Sequence, residues 1–263
     1  MIFIIRSNYS GINKIIDRNQ FLMGKKKKTE VVLPNEEELY IPQKKLPYKV
    51  RLKCKNKKQK DYANLIDNDN VEMVFVKGKA GCGKTYVAVC KALELLKEKE
   101  EFEKIYLVTS SIQSEEPLGL LPGTVNEKLY PSMMSFQIVI DELIGKGSRE
   151  KLFEQGYIEY MPISFLRGVN LKNCIVLGDE MQNLTIRGMK TLLTRISYNA
   201  KFIIMGDTDQ IDHPKLKKET SGLNYIIEKV KEYPDDRMGI VEFGEEDVVR
   251  NPIINTILNY FGE

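Results

Sequence analysis

Gly78-Lys79-Ala80-Gly81-Cys82-Gly83-Lys84-Thr85 decides how the rest of the chain is read. It matches G-x-x-x-x-G-K-[ST] in full, a loop whose glycines let successive backbone amides turn inward around phosphate oxygens. The context fits as well. The apolar run Val71–Val76 reads as a buried strand just ahead of the loop, and the amphipathic stretch Lys84–Glu98 reads as the helix that it opens. Phosphates are therefore expected on the N-terminus of that helix, cradled by Gly78, Ala80, Gly81, Cys82 and Gly83. Lys84 is expected to reach the β- and γ-phosphates, and the Thr85 hydroxyl to ligate Mg²⁺. Tyr86, one residue on, is a candidate nucleotide contact.

A loop of this kind needs a carboxylate for the metal at the end of another buried strand. Cys174-Ile175-Val176-Leu177-Gly178-Asp179-Glu180 supplies one. Asp179 is expected to hold Mg²⁺ through its water shell, and Glu180 to orient and deprotonate the attacking water. A third apolar run ends in Gly206-Asp207-Thr208-Asp209-Gln210, where Gln210 is a candidate reporter on the γ-phosphate or the lytic water.

Around these motifs helical and strand patterns alternate. Helices are predicted over Asn56–Asp67, Lys84–Glu98, Glu127–Ile144, Ser148–Gln155, Ile186–Ser197, Gly222–Glu232 and Pro252–Phe261. Strands are predicted over Val71–Val76, Ile105–Thr109, Ile158–Met161, Cys174–Leu177, Phe202–Met205 and Gly239–Phe243. Such alternation implies an α/β fold, a mostly parallel sheet with helices on both faces. Ligands of these sheets bind at the carboxyl ends of the strands, which is where all three motifs fall. Residues 1–45 show no sustained periodicity and read as an N-terminal extension to a domain spanning 46–263.

Composition narrows the function classes. With 42% hydrophobic and 29% charged residues, this is an ordinary globular chain, and no apolar run is long enough to span a bilayer. No secretory signal is legible, so the cytoplasm is the expected compartment and no membrane partner is expected. The four cysteines form no CxxC pair and there is one histidine, which argues against a zinc site. The net charge of +3 hides an asymmetry, because Gly24–Lys60 carries thirteen Lys/Arg against four acids on an otherwise acidic chain. That arm is either a contact for a polyanion or a solvated tail.

Taken together, the motifs resemble the PhoH family, single-domain ATPases related to the first motor domain of superfamily-1 helicases. The resemblance runs from about Lys55 to Phe261. Beyond the phosphate loop it rests on Leu118-Gly119-Leu120-Leu121-Pro122-Gly123, Phe165-Leu166-Arg167-Gly168 and Asp179-Glu180-Met181-Gln182-Asn183. It continues through Leu193-Thr194-Arg195-Ile196, Gly206–Asp212, Ser221-Gly222-Leu223 and Asp247-Val248-Val249-Arg250-Asn251-Pro252. It implies a RecA-like fold, ATP and Mg²⁺ as cofactors, and Gln59 as the glutamine that reads the adenine edge, although a surface glutamine would fit the same helix. It also matches Gln182 to the glutamine of the DExQ-type motif and Arg250 to the arginine of the closing motif. The chain departs from the family at Thr109-Ser110-Ser111, where Thr-Arg-Pro is usual, at Cys82 for threonine, at Met181 for alanine and at His213 for leucine.

Two kinds of job follow from the resemblance. One is an ATP-driven motor on RNA or single-stranded DNA. The other is a nucleotide-dependent switch or assembly protein acting on a protein partner. The residues after Gln210 are too few for a second motor domain, so a motor would borrow a neighbour in a homo-oligomer, most simply a hexameric ring. Arg250 is then the leading candidate for an arginine finger offered to the neighbour, ahead of Arg167 and Arg195. Cys82, at a helix N-terminus beside Lys84, is either a reactive thiol that MgATP protects from alkylation or an ordinary loop thiol filling a threonine's place.

Overall fold

The strands form because their residues can be buried on both faces at once, as a parallel sheet covered by helices requires. The computed structural model describes residues 46–110, 125–166, 168–213, 216–249, 253 and 260. Six strands are present: β1 (Met73–Lys77), β2 (Lys104–Thr109), β3 (Ile158–Tyr160), β4 (Cys174–Asp179), β5 (Ala200–Gly206) and β6 (Met238–Glu242). They form one sheet in the order β3-β2-β4-β5-β1-β6, and every pairing is parallel. Both β4 and β5 are buried along their full length. The helices are α1 (Lys57–Asp67), α2 (Lys84–Glu98), α3 (Val125–Ile144), α4 (Lys146–Glu154), α5 (Ile186–Leu193) and α6 (Gly222–Glu232).

The period-2 geometry of the strands divides the core into two layers. Val74, Val76, Ile175, Leu177, Ile203 and Met205 pack with α1, α2, α3 and α4 on one face. Phe75, Val176, Phe202 and Ile204 pack with α5 and α6 on the other. Among the aromatics, Tyr62 and Phe102 are buried, whereas Tyr86 and Tyr106 are half-buried.

Sheet order brings the parts of a site together. Because β5 lies between β1 and β4, the segments leaving the carboxyl ends of these three strands are neighbours, although they are far apart in sequence. Lys77 is opposite Gly206, and Thr109 is opposite Asp179, so all of them end at one level. The expected α/β, RecA-like architecture is the one observed.

Several boundaries differ from those predicted, and two of them have a visible cause. Helix α5 stops at Leu193 rather than Ser197. The segment after it is drawn into pairing with the chain ahead of β4: Leu171 donates to the Arg195 carbonyl at 2.8 Å, and Ser197 donates to the Leu171 carbonyl at 2.9 Å. Those bonds replace the next helical turn. Strand β5 starts two residues early, at Ala200, because Lys201 has somewhere to go. Its ammonium, buried to 4% exposure, caps the C-terminus of α1 through the carbonyls of Ile66 (2.7 Å) and Asn68 (2.8 Å). Burial lowers this amine to about 8, so it is still charged at neutral pH, as its place at a helix C-terminus favours. Of the predicted last helix, Ile253 and Tyr260 are described, both helical. The N-terminal extension, 1–45, and the Leu118–Gly123 motif lie outside the described residues.

Candidate active site

The phosphate loop is the strand-to-helix turn between β1 and α2. Gly83 caps α2 at φ 85°, a left-handed backbone that a side chain would strain. A Cβ there would also fall 2.7 Å from Gln59 Nε2. Lys84, 8% exposed, donates to the carbonyls of Gly78 (2.5 Å) and Lys79 (3.1 Å). The ammonium is thus parked on its own loop, with an anion as the natural competitor for it.

Across the crevice, Thr85 Oγ1 donates to Asp179 Oδ2 at 2.9 Å. The Asp179 carboxyl also accepts from the Glu180 amide at 3.0 Å. Burial, and then the adjacent Glu180 carboxylate, push Asp179 up to about 6, while Thr85 and the Glu180 amide pull the other way. A hydroxyl and a buried carboxylate side by side, both hard oxygen donors, suit Mg²⁺. A divalent cation there would favour the ionised acid that burial disfavours. The residues present therefore fit the metal and the nucleotide that the motifs imply.

Glu180 sits at φ 57°, ψ 27°, left-handed for a residue that is not glycine. Four groups hold it. Its amide is on Asp179, its carbonyl accepts from the Ser110 hydroxyl and from the Asn183 amide (3.1 Å), and its carboxylate accepts from Gln182 Nε2 at 2.7 Å. Gln182 is fully buried and reaches further. Its Nε2 also donates to the Gln210 carbonyl (3.0 Å), and its Oε1 accepts from the Asp207 amide (3.1 Å). A Cβ on Gly206 would lie 2.5 Å from that Oε1, so only glycine permits the bridge. Asn183 adds a second fastening, its Oδ1 accepting from the amides of Asp212 (2.8 Å) and His213 (3.2 Å). Asp207 is 6% exposed and its Oδ2 has no partner, which leaves one buried acceptor beside the phosphate loop.

The expected site residues converge unevenly. Lys84, Thr85, Asp179 and Glu180 come together as expected. The side chain of Gln210 is exposed, and its backbone carbonyl is what joins the network. Gln59 is buried rather than on the surface. Its Nε2 donates to the Cys82 carbonyl (2.9 Å) and its Oε1 accepts from the Lys55 amide (2.8 Å), so it braces the phosphate loop. Tyr86 is half-buried in the first turn of α2. Arg250 and Arg167 lie outside the described residues. The residues before Arg250 dock on the loop of the same chain: Val249 donates to the Gly81 carbonyl (3.0 Å), and Asn56 Nδ2 donates to the Asp247 carbonyl (3.1 Å). Arg195 contacts Thr194, away from the crevice residues named above.

Burial favours the ordinary-thiol reading of Cys82. Cys82 is fully buried, and burial pushes its thiol up against the pull of Lys84. Both disfavour the thiolate that alkylation needs, and Cys54 is the exposed cysteine.

The Asp179 geometry predicts a cost borne by the metal-free protein. An acid raised from 3.8 to about 6 is stabilising below pH 4, and that contribution is lost as pH rises through 6. Asp179→Asn should therefore raise the stability of the metal-free protein by about 3 kcal/mol at pH 7.5, and by roughly half that at pH 5. Urea titrations in chelator at the two pH values measure this. A variant less stable than wild type, or a gain independent of pH, would contradict it.

The family model described as PhoH-like protein matches residues 51–262. A PhoH-like protein of Bacillus subtilis (strain 168) is 36% identical over 210 residues, covering 80% of this chain and 64% of that protein. Protein PhoH of Escherichia coli (strain K12) is 34% identical over 210 residues, covering 79% of this chain and 57% of that protein. The chain thus spans about three fifths of the length of these relatives. Among solved structures, the large terminase of a thermophilic bacteriophage in complex with ADP aligns at TM-score 0.47 and 10% identity, over 77% of this chain and 49% of that one. With its phosphate loop, its Thr85–Asp179 contact and a family match over most of its length, this chain belongs to the PhoH-like family of P-loop proteins.

Proposed function

We propose that this chain hydrolyses ATP with Mg²⁺ and couples the reaction to RNA or single-stranded DNA. The observation that carries the first half is the Thr85–Asp179 contact at the mouth of the phosphate loop. Lys84, Thr85 and Asp179 hold phosphates and metal. When bound, Mg²⁺ would neutralise charge on the β- and γ-phosphates. Glu180, held by Gln182 at the rim, accepts the proton of the attacking water. Because Gln182 also grips the Gln210 carbonyl and the Asp207 amide, a shift of Glu180 is felt in the segment after β5. That coupling would pass the state of the nucleotide to a partner.

The nucleic-acid half of the reading rests on the basic stretch Gly24–Lys60 and on the family. Phosphate contacts from such an arm would bind single strands with slight sequence preference and steep salt dependence. A homo-oligomeric ring, with Arg250 completing the neighbour's site, belongs to the same proposal. The anchorage of Val249 on Gly81 makes the competing role, at its own chain's site, the one to exclude. Mixed Arg250→Ala and Glu180→Gln subunits should regain partial activity, and no recovery in a verified mixed ring would confine Arg250 to its own site.

The decisive assay is phosphate release with and without single-stranded RNA. Glu180→Gln should lower turnover by about 10²-fold or more while leaving ATP binding intact, and Lys84→Ala should weaken both. Normal turnover in Glu180→Gln would refute the role given to Glu180. RNA should stimulate the wild type, and neutralising Lys25–Lys28 should flatten the salt dependence of RNA binding. Turnover indifferent to RNA and DNA would favour the protein-partner switch instead.

A further inference from the structure

Ser110 directly follows β2, is buried, and turns its hydroxyl inward onto the Glu180 carbonyl. We propose that Ser110 is a positioning residue for catalysis: its hydrogen bond to the Glu180 carbonyl holds the general base in its left-handed conformation. The inference rests on the role assigned to Glu180 above.

The argument begins with register. Strands β2 and β4 pair as far as Thr109 opposite Asp179, and one residue further Ser110 stands beside Glu180. At that point β4 ends, and the chain turns through the left-handed geometry of Glu180 into a short 3₁₀ turn, Met181–Asn183. For a side chain with a Cβ this conformation is strained unless neighbours enforce it. The Glu180 amide is fixed by Asp179 Oδ1, and the Glu180 carbonyl by the Asn183 amide of the turn and, from the neighbouring strand, by Ser110 Oγ. Fixing both flanking peptide groups sets the direction of the Cα–Cβ bond, and hence where the carboxylate can reach. Gln182 then selects the orientation of the carboxylate itself.

Ser110 is suited to this and to little else. It is 3% exposed, so it is not placed for contact with a macromolecular partner. It is a small donor at the end of β2, matched to a carbonyl that the sheet ladder no longer uses.

Steady-state turnover, together with equilibrium binding of a fluorescent non-hydrolysable ATP analogue with Mg²⁺, tests the inference. Ser110→Ala should lower kcat about tenfold, the scale of one lost positioning hydrogen bond, and leave the analogue Kd within about twofold. Ser110→Cys, nearly the same shape with a poor donor, should reproduce that loss if the alanine variant fails to fold. Ser110→Thr, which keeps the hydroxyl, should restore most of the rate. The distinguishing measurement is the double variant: because Ser110 acts through Glu180, Ser110→Ala should not slow Glu180→Gln any further. An equal loss in both backgrounds, an unchanged kcat, or a loss confined to analogue binding would overturn the proposal. If Glu180→Gln alone keeps wild-type turnover, it is the assignment of the base that fails. If Glu180→Gln collapses while Ser110→Ala and Ser110→Cys match wild type, the inference about Ser110 fails alone.

Discussion

A carboxylate without solvent access sits at the end of a strand buried on both faces, and the rest of the site is arranged around it. Asp179 is 4% exposed and is held by Thr85 from the first turn of α2 and by the amide of Glu180. No lysine or arginine hydrogen-bonds it among the described residues. A protein selected for stability alone would have little reason to keep such a group, since removing a carboxylate from water is costly unless it is paired. The expense is intelligible if a cation completes the group in the working state. The same logic explains Lys84, whose ammonium rests on backbone carbonyls of its own loop. Anion site and cation site face each other across one crevice.

Sheet order converts these local features into one device. Placing β5 between β1 and β4 puts the Gly206–His213 segment between the phosphate loop and Glu180. Gln182 exploits that position with three hydrogen bonds, two of them to the backbone of the segment and one to the Glu180 carboxylate. Gly206 has to lack a side chain for the approach to occur. On the other flank, Gln59 from α1 and Val249 from the segment after β6 bind the loop, and Asn56 ties those two flanks together through the Asp247 carbonyl. The loop is therefore clamped from outside while its inner face is left for phosphate.

Much of this was legible in the sequence, for identifiable reasons. The phosphate loop, Asp179 and Glu180 follow from short motifs with fixed spacing after apolar runs, and the boundaries of α2 and α6 follow from clean periodicity. Other features depend on tertiary partners that no local pattern encodes. The end of α5 was misplaced because Leu171, far off in sequence, competes for the backbone of Arg195 and Ser197. The reactive reading of Cys82 stood open because charge is visible in a sequence and burial is not. Gln182 and Ser110 stood inside recognised motifs, but their roles come from bonds to residues on neighbouring strands. Asn56 as the cap of α1 was within reach, since asparagine ahead of an amphipathic stretch is a common start signal.

The central claim is that Thr85 and Asp179 form the seat of a metal on which nucleotide chemistry depends. The most direct measurement is phosphate release from ATP across a Mg²⁺ titration, comparing the wild type with Thr85→Val, which keeps shape and removes the hydroxyl. The account predicts turnover that requires Mg²⁺ in the wild type, and a Mg²⁺ requirement shifted to about tenfold or more higher concentration in the variant. Turnover without divalent metal, or identical Mg²⁺ curves for the two proteins, would contradict it.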